Sequence, residues 1–129
     1  MPEFEDHARS DAPPEDVWKL LYDPGRFPDW WAGVGSVEPG QAGGYTMYPD
    51  GYPDFPMAQQ LQVSGSGVTI SCLVSDLRFD WRLEPNGSGT TITVDVEIPE
   101  AEAHRVDAQR DVISRSLSRL AALAAEETS

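Results

Sequence analysis

The order of patterns along this chain predicts an α+β fold in which a curved antiparallel sheet of about six or seven strands grips a long C-terminal helix. Three observations carry that expectation. A proline-punctuated stretch, Asp11-Ala12-Pro13-Pro14-Glu15-Asp16-Val17-Trp18 through Trp30-Trp31, places two short helices behind a first strand. Residues 57–98 then alternate apolar and polar, with turn compositions between the alternating runs. The last quarter repeats apolar residues at helical spacing.

At the front, residues 4–10 read as a weakly patterned strand ended by Asp11. Pro14 suits a first helical position, where its missing N–H is unpaired in any case, and Glu15 and Asp16 meet the positive end of the helix dipole. Val17, Leu20 and Leu21 give this helix an inward face of barely two turns, too little to hold alone in water. Asp23-Pro24-Gly25 breaks it, and a second turn or two carries Phe27, Trp30 and Trp31. Extended structure resumes over residues 33–38, a loop follows at 39–44, a short strand at 45–48 and a Pro- and Tyr-rich loop at 49–56.

The next strands are expected at 57–63, 68–74, 77–83 and 90–98, joined by Ser64-Gly65-Ser66-Gly67, by Ser75-Asp76 and by Glu84-Pro85-Asn86-Gly87-Ser88-Gly89. Closing the first turn sets Val63 opposite Val68, Leu61 opposite Ile70 and Gln59 opposite Cys72. Closing the second sets Val74 opposite Leu77, Cys72 opposite Phe79 and Ile70 opposite Trp81. The third gives Trp81 with Ile92, Phe79 with Val94 and Leu77 with Val96, so that Gln59 alone interrupts an apolar face. The other face carries Gln60, Gln62, Thr69, Ser71, Asp80, Arg82, Thr91 and Thr93, with Leu73 as its apolar exception, and sets Arg78 opposite Asp95 as a solvated ion pair.

An apolar sheet face needs a cover. Val106, Ile113, Leu117, Leu120, Ala121 and Ala124 form a stripe on a helix expected over residues 102–126. Pro99 stops the preceding strand and Glu100 and Glu102 favour the helix start, whereas Glu126 and Glu127 oppose the dipole at the far end, so the last turn is expected to fray.

A chain of 129 residues predicts a single domain over residues 1–129. With 22 acidic against 9 basic residues, the net charge of −13 repels phosphate backbones and anionic lipid surfaces, which argues against nucleic-acid and membrane roles. Neither a basic-apolar leader nor an apolar run of spanning length is evident, so a cytoplasmic location is expected. Cys72 is the lone cysteine and lies on the apolar face, which makes it a buried, inert thiol. No metal and no cofactor are expected: His7 and His104 are the only imidazoles, far apart, without carboxylate or thiolate at ligand spacing. General acid-base work by His7 is left as an unsupported option. The oligomeric expectation is a monomer or weak homodimer.

The cassette Ala12-Pro13-Pro14-Glu15-Asp16-Val17-Trp18, followed by Leu21, Asp23, Pro24, Trp30 and Trp31, resembles the N-terminal signature of the polyketide cyclase/dehydrase-like branch of the START and Bet v 1 helix-grip (SRPBCC) superfamily. Asn86-Gly87-Ser88-Gly89-Thr90-Thr91-Ile92-Thr93-Val94 resembles that family's penultimate hairpin. The resemblance covers nearly the whole chain and is specific for fold rather than for activity. It implies a seven-stranded sheet wrapped around the long helix, with a hydrophobic ligand such as a lipid, sterol, quinone or polyketide held between them. This chain is short between its N-terminal helices and the meander, which implies a smaller pocket.

Within that frame the expected ligand-lining residues are Trp31, Tyr48, Met57, Gln59, Phe79, Trp81, Ile113 and Leu117. Gln59 is either a hydrogen-bonding partner for ligand or a core amide satisfied internally, since an unpaired buried amide costs about 1–3 kcal/mol. Phe79 and Trp81 either wall a cavity or fill it. Tyr45, Tyr48 and Tyr52 either rim the pocket or pack. Three functions follow: a module that binds a small hydrophobic molecule without reacting it, a cyclase- or dehydratase-like enzyme using the same cavity, or a ligand-free association domain with Trp30 and the 52–55 loop as contact surface. A cavity of at least about 300 Å³ beside Trp81 and Leu117 supports either of the first two, whereas a solid core there leaves only association.

Overall fold

The computed structural model of the chain describes residues 2–65 and 67–128. Strand β1 (Glu3–Ser10) leads into helix α1 (Pro14–Leu21), a 3-10 turn at Pro24–Arg26 and the short helix α2 (Phe27–Trp30). Strands β2 (Val34–Pro39), β3 (Gly44–Pro49), β4 (Met57–Ser64), β5 (Gly67–Cys72), β6 (Arg78–Asn86) and β7 (Gly89–Glu97) follow. A 3-10 turn at Glu100–Arg105 then opens helix α3 (Val106–Thr128). All seven strands pair antiparallel in one sheet of order β1-β7-β6-β5-β4-β3-β2. The sheet wraps α3, which packs along β1, while α1 and α2 touch both α3 and the sheet.

The β4–β5 hairpin has the expected register, with Gln59 opposite Cys72, Leu61 opposite Ile70 and Val63 opposite Val68. Of its expected turn, Ser66 lies outside the described residues. Val63 is nonetheless exposed, because it stands at the hairpin's outer end, beyond the cover of the helices.

Both later hairpins differ from expectation by two residues. Cys72 N–H donates to Leu77 O and Asp76 N–H to Cys72 O, so the β5–β6 connection is a four-residue loop, 73–76, with Asp76 at φ 60°. That sets Ile70 opposite Phe79 and Val68 opposite Trp81. Strands β6 and β7 run on to pair Asn86 with Gly89 across a two-residue turn in which Gly87 takes φ 63°. Trp81 therefore faces Val94 and Phe79 faces Val96. Strand side chains alternate with period two, so an even slip leaves every face assignment intact. The exception is Val74, which leaves the sheet for the loop and is exposed. On the outer face Arg78 lies opposite Glu97 rather than Asp95, and Arg82 takes Asp95 at 2.8 Å. Both partners of that pair are well solvated, which limits it to under about 1 kcal/mol.

Helix α3 buries Ile113, Leu117, Leu120 and Ala124, as its stripe requires. It runs on to Thr128, two residues past the expected end, and Arg26 Nη2 holds Glu127 Oε2 while Arg26 Nε holds Asp29 at 2.8 Å. Those two hydrogen-bonded carboxylates raise the guanidinium above its ordinary pKa.

Three buried hydroxyls fix the helices against the sheet. Ser10 Oγ donates to Ala121 O at 2.7 Å and accepts from Ala12 N–H. Thr90 Oγ1 donates to Ala12 O at 2.8 Å. Ser116 Oγ donates to Val112 O and accepts Ala32 N–H at 2.9 Å, tying α3 to the chain just beyond α2. Each satisfies a backbone group that burial would otherwise strand.

Between α2 and the sheet lies an aromatic block. Trp30 and Trp31 stack at 5.4 Å, and Trp81 meets both edge-on at 5.2 and 5.4 Å. Phe79 meets Trp31 at 5.1 Å, and Phe27 and Tyr45 extend the cluster. Trp30 Nε1 donates to Leu20 O, whereas Trp81 Nε1 finds no acceptor among the described residues. Trp81 is 1% exposed, so Trp81→Ala is expected to cost about 3–5 kcal/mol in denaturant unfolding. A loss below about 1 kcal/mol would show that the ring borders empty space instead.

Candidate ligand cavity

The space between sheet and α3 is not filled throughout. Beside the aromatic block lies a chamber of about 170 Å³. Its sheet wall is built from Met47 of β3, Met57 and Gln59 of β4, Cys72 of β5 and Phe79 of β6. Trp31, Ala32 and Val34 bound it on the α2 side, and Arg105 of the 3-10 turn with Gln109 and Val112 of α3 bound it on top. A shallower groove of about 450 Å³ continues outward over Tyr52, Phe55, Val74 and Glu102. Pro49, Met57, Ser75 and Arg105 line both spaces and form the neck between them.

Trp31, Met57, Gln59 and Phe79 thus come together around one chamber. Trp81, Ile113 and Leu117 do not: they lie in solid core, where Trp30 and Trp31 occupy the space that a chamber beside Trp81 and Leu117 would need. Tyr48 stands apart for reasons of parity. Tyr45 and Met47 point inward from β3, so Tyr48 points to the other face. Counting from Tyr45 would have replaced Tyr48 with Met47. Arg105, Gln109 and Val112 recur at helical spacing along a face adjoining the Ile113–Leu117 stripe, but their mixed polarity hides them from an apolar search.

Gln59 is 8% exposed and keeps company with one phenol. Tyr45 O–H donates to Gln59 Oε1 at 2.7 Å across the β3–β4 ladder. Burial, with Cys72 nearby, holds the Tyr45 hydroxyl well above the ordinary phenol pKa, so it stays a donor. Cys72 Sγ accepts a hydrogen bond from Ser75 Oγ at 3.2 Å. Arg105 has Glu102 at 3.8 Å, a loose pairing at the neck.

The imidazoles lie elsewhere. His7 is exposed on the outer face of β1, opposite Thr93, which removes it from acid-base work in the chamber. His104 is 73% exposed, 3.8 Å from Glu102. Among the described residues no three His, Cys, Asp or Glu side chains converge as metal ligands, and no helix is long and apolar enough to cross a membrane.

A seven-stranded antiparallel sheet curled around one long terminal helix, with two short helices after the first strand and a cavity under the grip, defines the helix-grip class. The chain belongs to the family described as "Polyketide cyclase / dehydrase and lipid transport", which it matches over residues 1–125. Solved structures share the architecture at low identity. The protein XoxI from Bacillus cereus superposes with a TM-score of 0.80 at 14% identity, over 95% of each chain. A protein from Chromobacterium violaceum gives 0.74 at 21% identity, over 97% of this chain and 99% of that one. The di-domain ARO/CYC BexL from the BE-7585A biosynthetic pathway gives 0.76 at 16% identity, over 94% of this chain and 45% of its own. No curated protein matches the chain.

The Tyr45 phenol provides a pH test. Its pKa is raised in the folded state, so its contribution to stability is complete below the ordinary value of 10.0 and is lost as pH rises from there toward the folded value. Stability of the unmodified protein is expected to fall above about pH 10 more steeply than that of Tyr45→Phe, followed by urea unfolding across that range. Parallel pH profiles would show that Tyr45 ionises like an exposed phenol.

Proposed function

We propose that this chain binds a small hydrophobic molecule in the chamber between the sheet and α3, with the outer groove receiving whatever the chamber does not hold. The observation that carries this reading is a concave space with mostly apolar walls and a few polar groups, Gln59 and Arg105 among them, that meets the outer groove at residues lining both. The position beside Trp81 and Leu117 is solid core, so the cavity of at least about 300 Å³ sought there is not present and that criterion goes against a ligand. What supports binding is a different and smaller space, about 170 Å³ beside Trp31 and Phe79, which suits only a small molecule. Holding is favoured over reacting because both imidazoles of the chain lie outside this space. The association reading loses Trp30, which is fully buried, and keeps the 52–55 loop, where Tyr52 and Phe55 are exposed.

Native mass spectrometry of freshly purified protein is the direct test. A species heavier than the 14.2 kDa chain by one small apolar molecule is expected, and Met57→Trp, which blocks the neck, should lose it while remaining folded by circular dichroism. If the unmodified protein carries no such molecule, and benzene leaves its amide NMR shifts around Phe79 unchanged, the binding reading fails.

A further inference from the structure

The size and polarity of the chamber restrict what enters it. An apolar cavity of about 150 Å³ accommodates benzene, so about 170 Å³ takes one ring or its equivalent in chain, not fused rings. Wider or longer parts of a ligand must lie beyond the neck, against Tyr52, Phe55 and Val74.

The polar end of the chamber has a defined sense. Gln59 presents a carbonyl and an amide N–H₂, and the carbonyl is already taken by Tyr45 O–H at 2.7 Å. Tyr45 does not line the chamber; Gln59 does. No hydrogen bond among the described residues engages Gln59 Nε2, and unlike Trp81 Nε1 this nitrogen is not shut away in the core. Rotating the amide would turn its N–H₂ toward Tyr45, whose oxygen can accept it, and leave Oε1 facing the chamber, but the buried phenol proton would then have no acceptor among the described residues; keeping that proton paired favours the observed orientation.

We infer that the chamber is specific for a head group no larger than a single ring that presents a hydrogen-bond acceptor, such as a ketone oxygen, to the Gln59 amide N–H₂, with Tyr45 acting as the positioning residue that orients the amide. This rests on the ligand-binding reading above. It deepens that reading by naming which ligand atom is recognised and by what. An all-apolar group of equal shape would leave the amide donor without a partner.

A matched pair of probes tests it. Cyclohexanone and methylenecyclohexane share shape and differ in the acceptor oxygen, and both are titrated by amide NMR shifts into the full chain. In Gln59→Met the preference for cyclohexanone, taken as the ratio of the two dissociation constants, is expected to fall roughly three- to tenfold, with methylenecyclohexane affinity held within about twofold. Tyr45→Phe keeps Gln59 but frees its amide, and should lose roughly half of that preference on a logarithmic scale. 2-Decalone, with two fused rings, is expected to bind at least about tenfold more weakly than cyclohexanone despite its greater apolar area. If both monocyclic probes change by the same factor in Gln59→Met, or if 2-decalone binds the more tightly, the specificity is overturned and the cavity reading survives. If neither monocyclic probe binds the unmodified protein, the cavity reading itself has failed and takes this proposal with it.

Discussion

The structure depends on how one apolar sheet face is covered. That face is wider than a single helix, and two unequal plugs share it: α3 along β1, and the Trp30–Trp31 block of α2 over Phe79 and Trp81. One stacked and three edge-to-face contacts among four large rings give that second plug a fixed shape rather than a fluid one. The chamber is the remainder, bounded by Trp31 and Phe79 on one side and by Val112 of α3 on another. Its volume is therefore set by the aromatic block as much as by the helix.

The plugs need registration, because aromatic and aliphatic contacts alone tolerate sliding. Ser10, Thr90 and Ser116 supply it with short bonds to backbone groups of the elements they face. Gly89 contributes by absence: a Cβ there would overlap Ser10 O, so β1 and β7 can approach where the Ser10 staple reaches α3. Trp81 Nε1 shows the cost of the arrangement, since the ring that meets both tryptophans edge-on finds no acceptor among the described residues.

Most of the architecture was legible in the sequence because period and punctuation are local signals. Proline positions, the two-residue alternation and the helical stripe each act within a few residues, and α1, α2, β4 to β7 and α3 all follow from them. Register was less legible. Loop 73–76 and turn 87–88 differ from expectation by two residues each, because Ser75-Asp76 and Glu84-Pro85-Asn86 permit several closures that keep identical faces inward. The chamber was legible only in part. Met57, Gln59 and Phe79 lie on the face that alternation identifies, but whether an inward ring walls a space or fills it depends on what comes from α2, and no local pattern reports that. Trp81, Ile113 and Leu117 have the same inward signature as Phe79 and end in solid core.

The two-residue slip at the β5–β6 loop also shapes the chamber's mouth. With a tight Ser75-Asp76 turn, Val74 would pair with Leu77 on the inner face and close that end of the sheet. The longer loop instead brings Leu77 opposite Cys72 and releases Val74 to the outside, where it joins Tyr52 and Phe55 along the groove. Ser75, freed from the ladder, turns its hydroxyl back onto Cys72 Sγ and becomes part of the neck. The same change that costs the sheet one inward apolar contact thus opens the chamber toward solvent under an apolar rim. Arg105 stands at that opening, 3.8 Å from Glu102, and places a cation where groove and chamber meet.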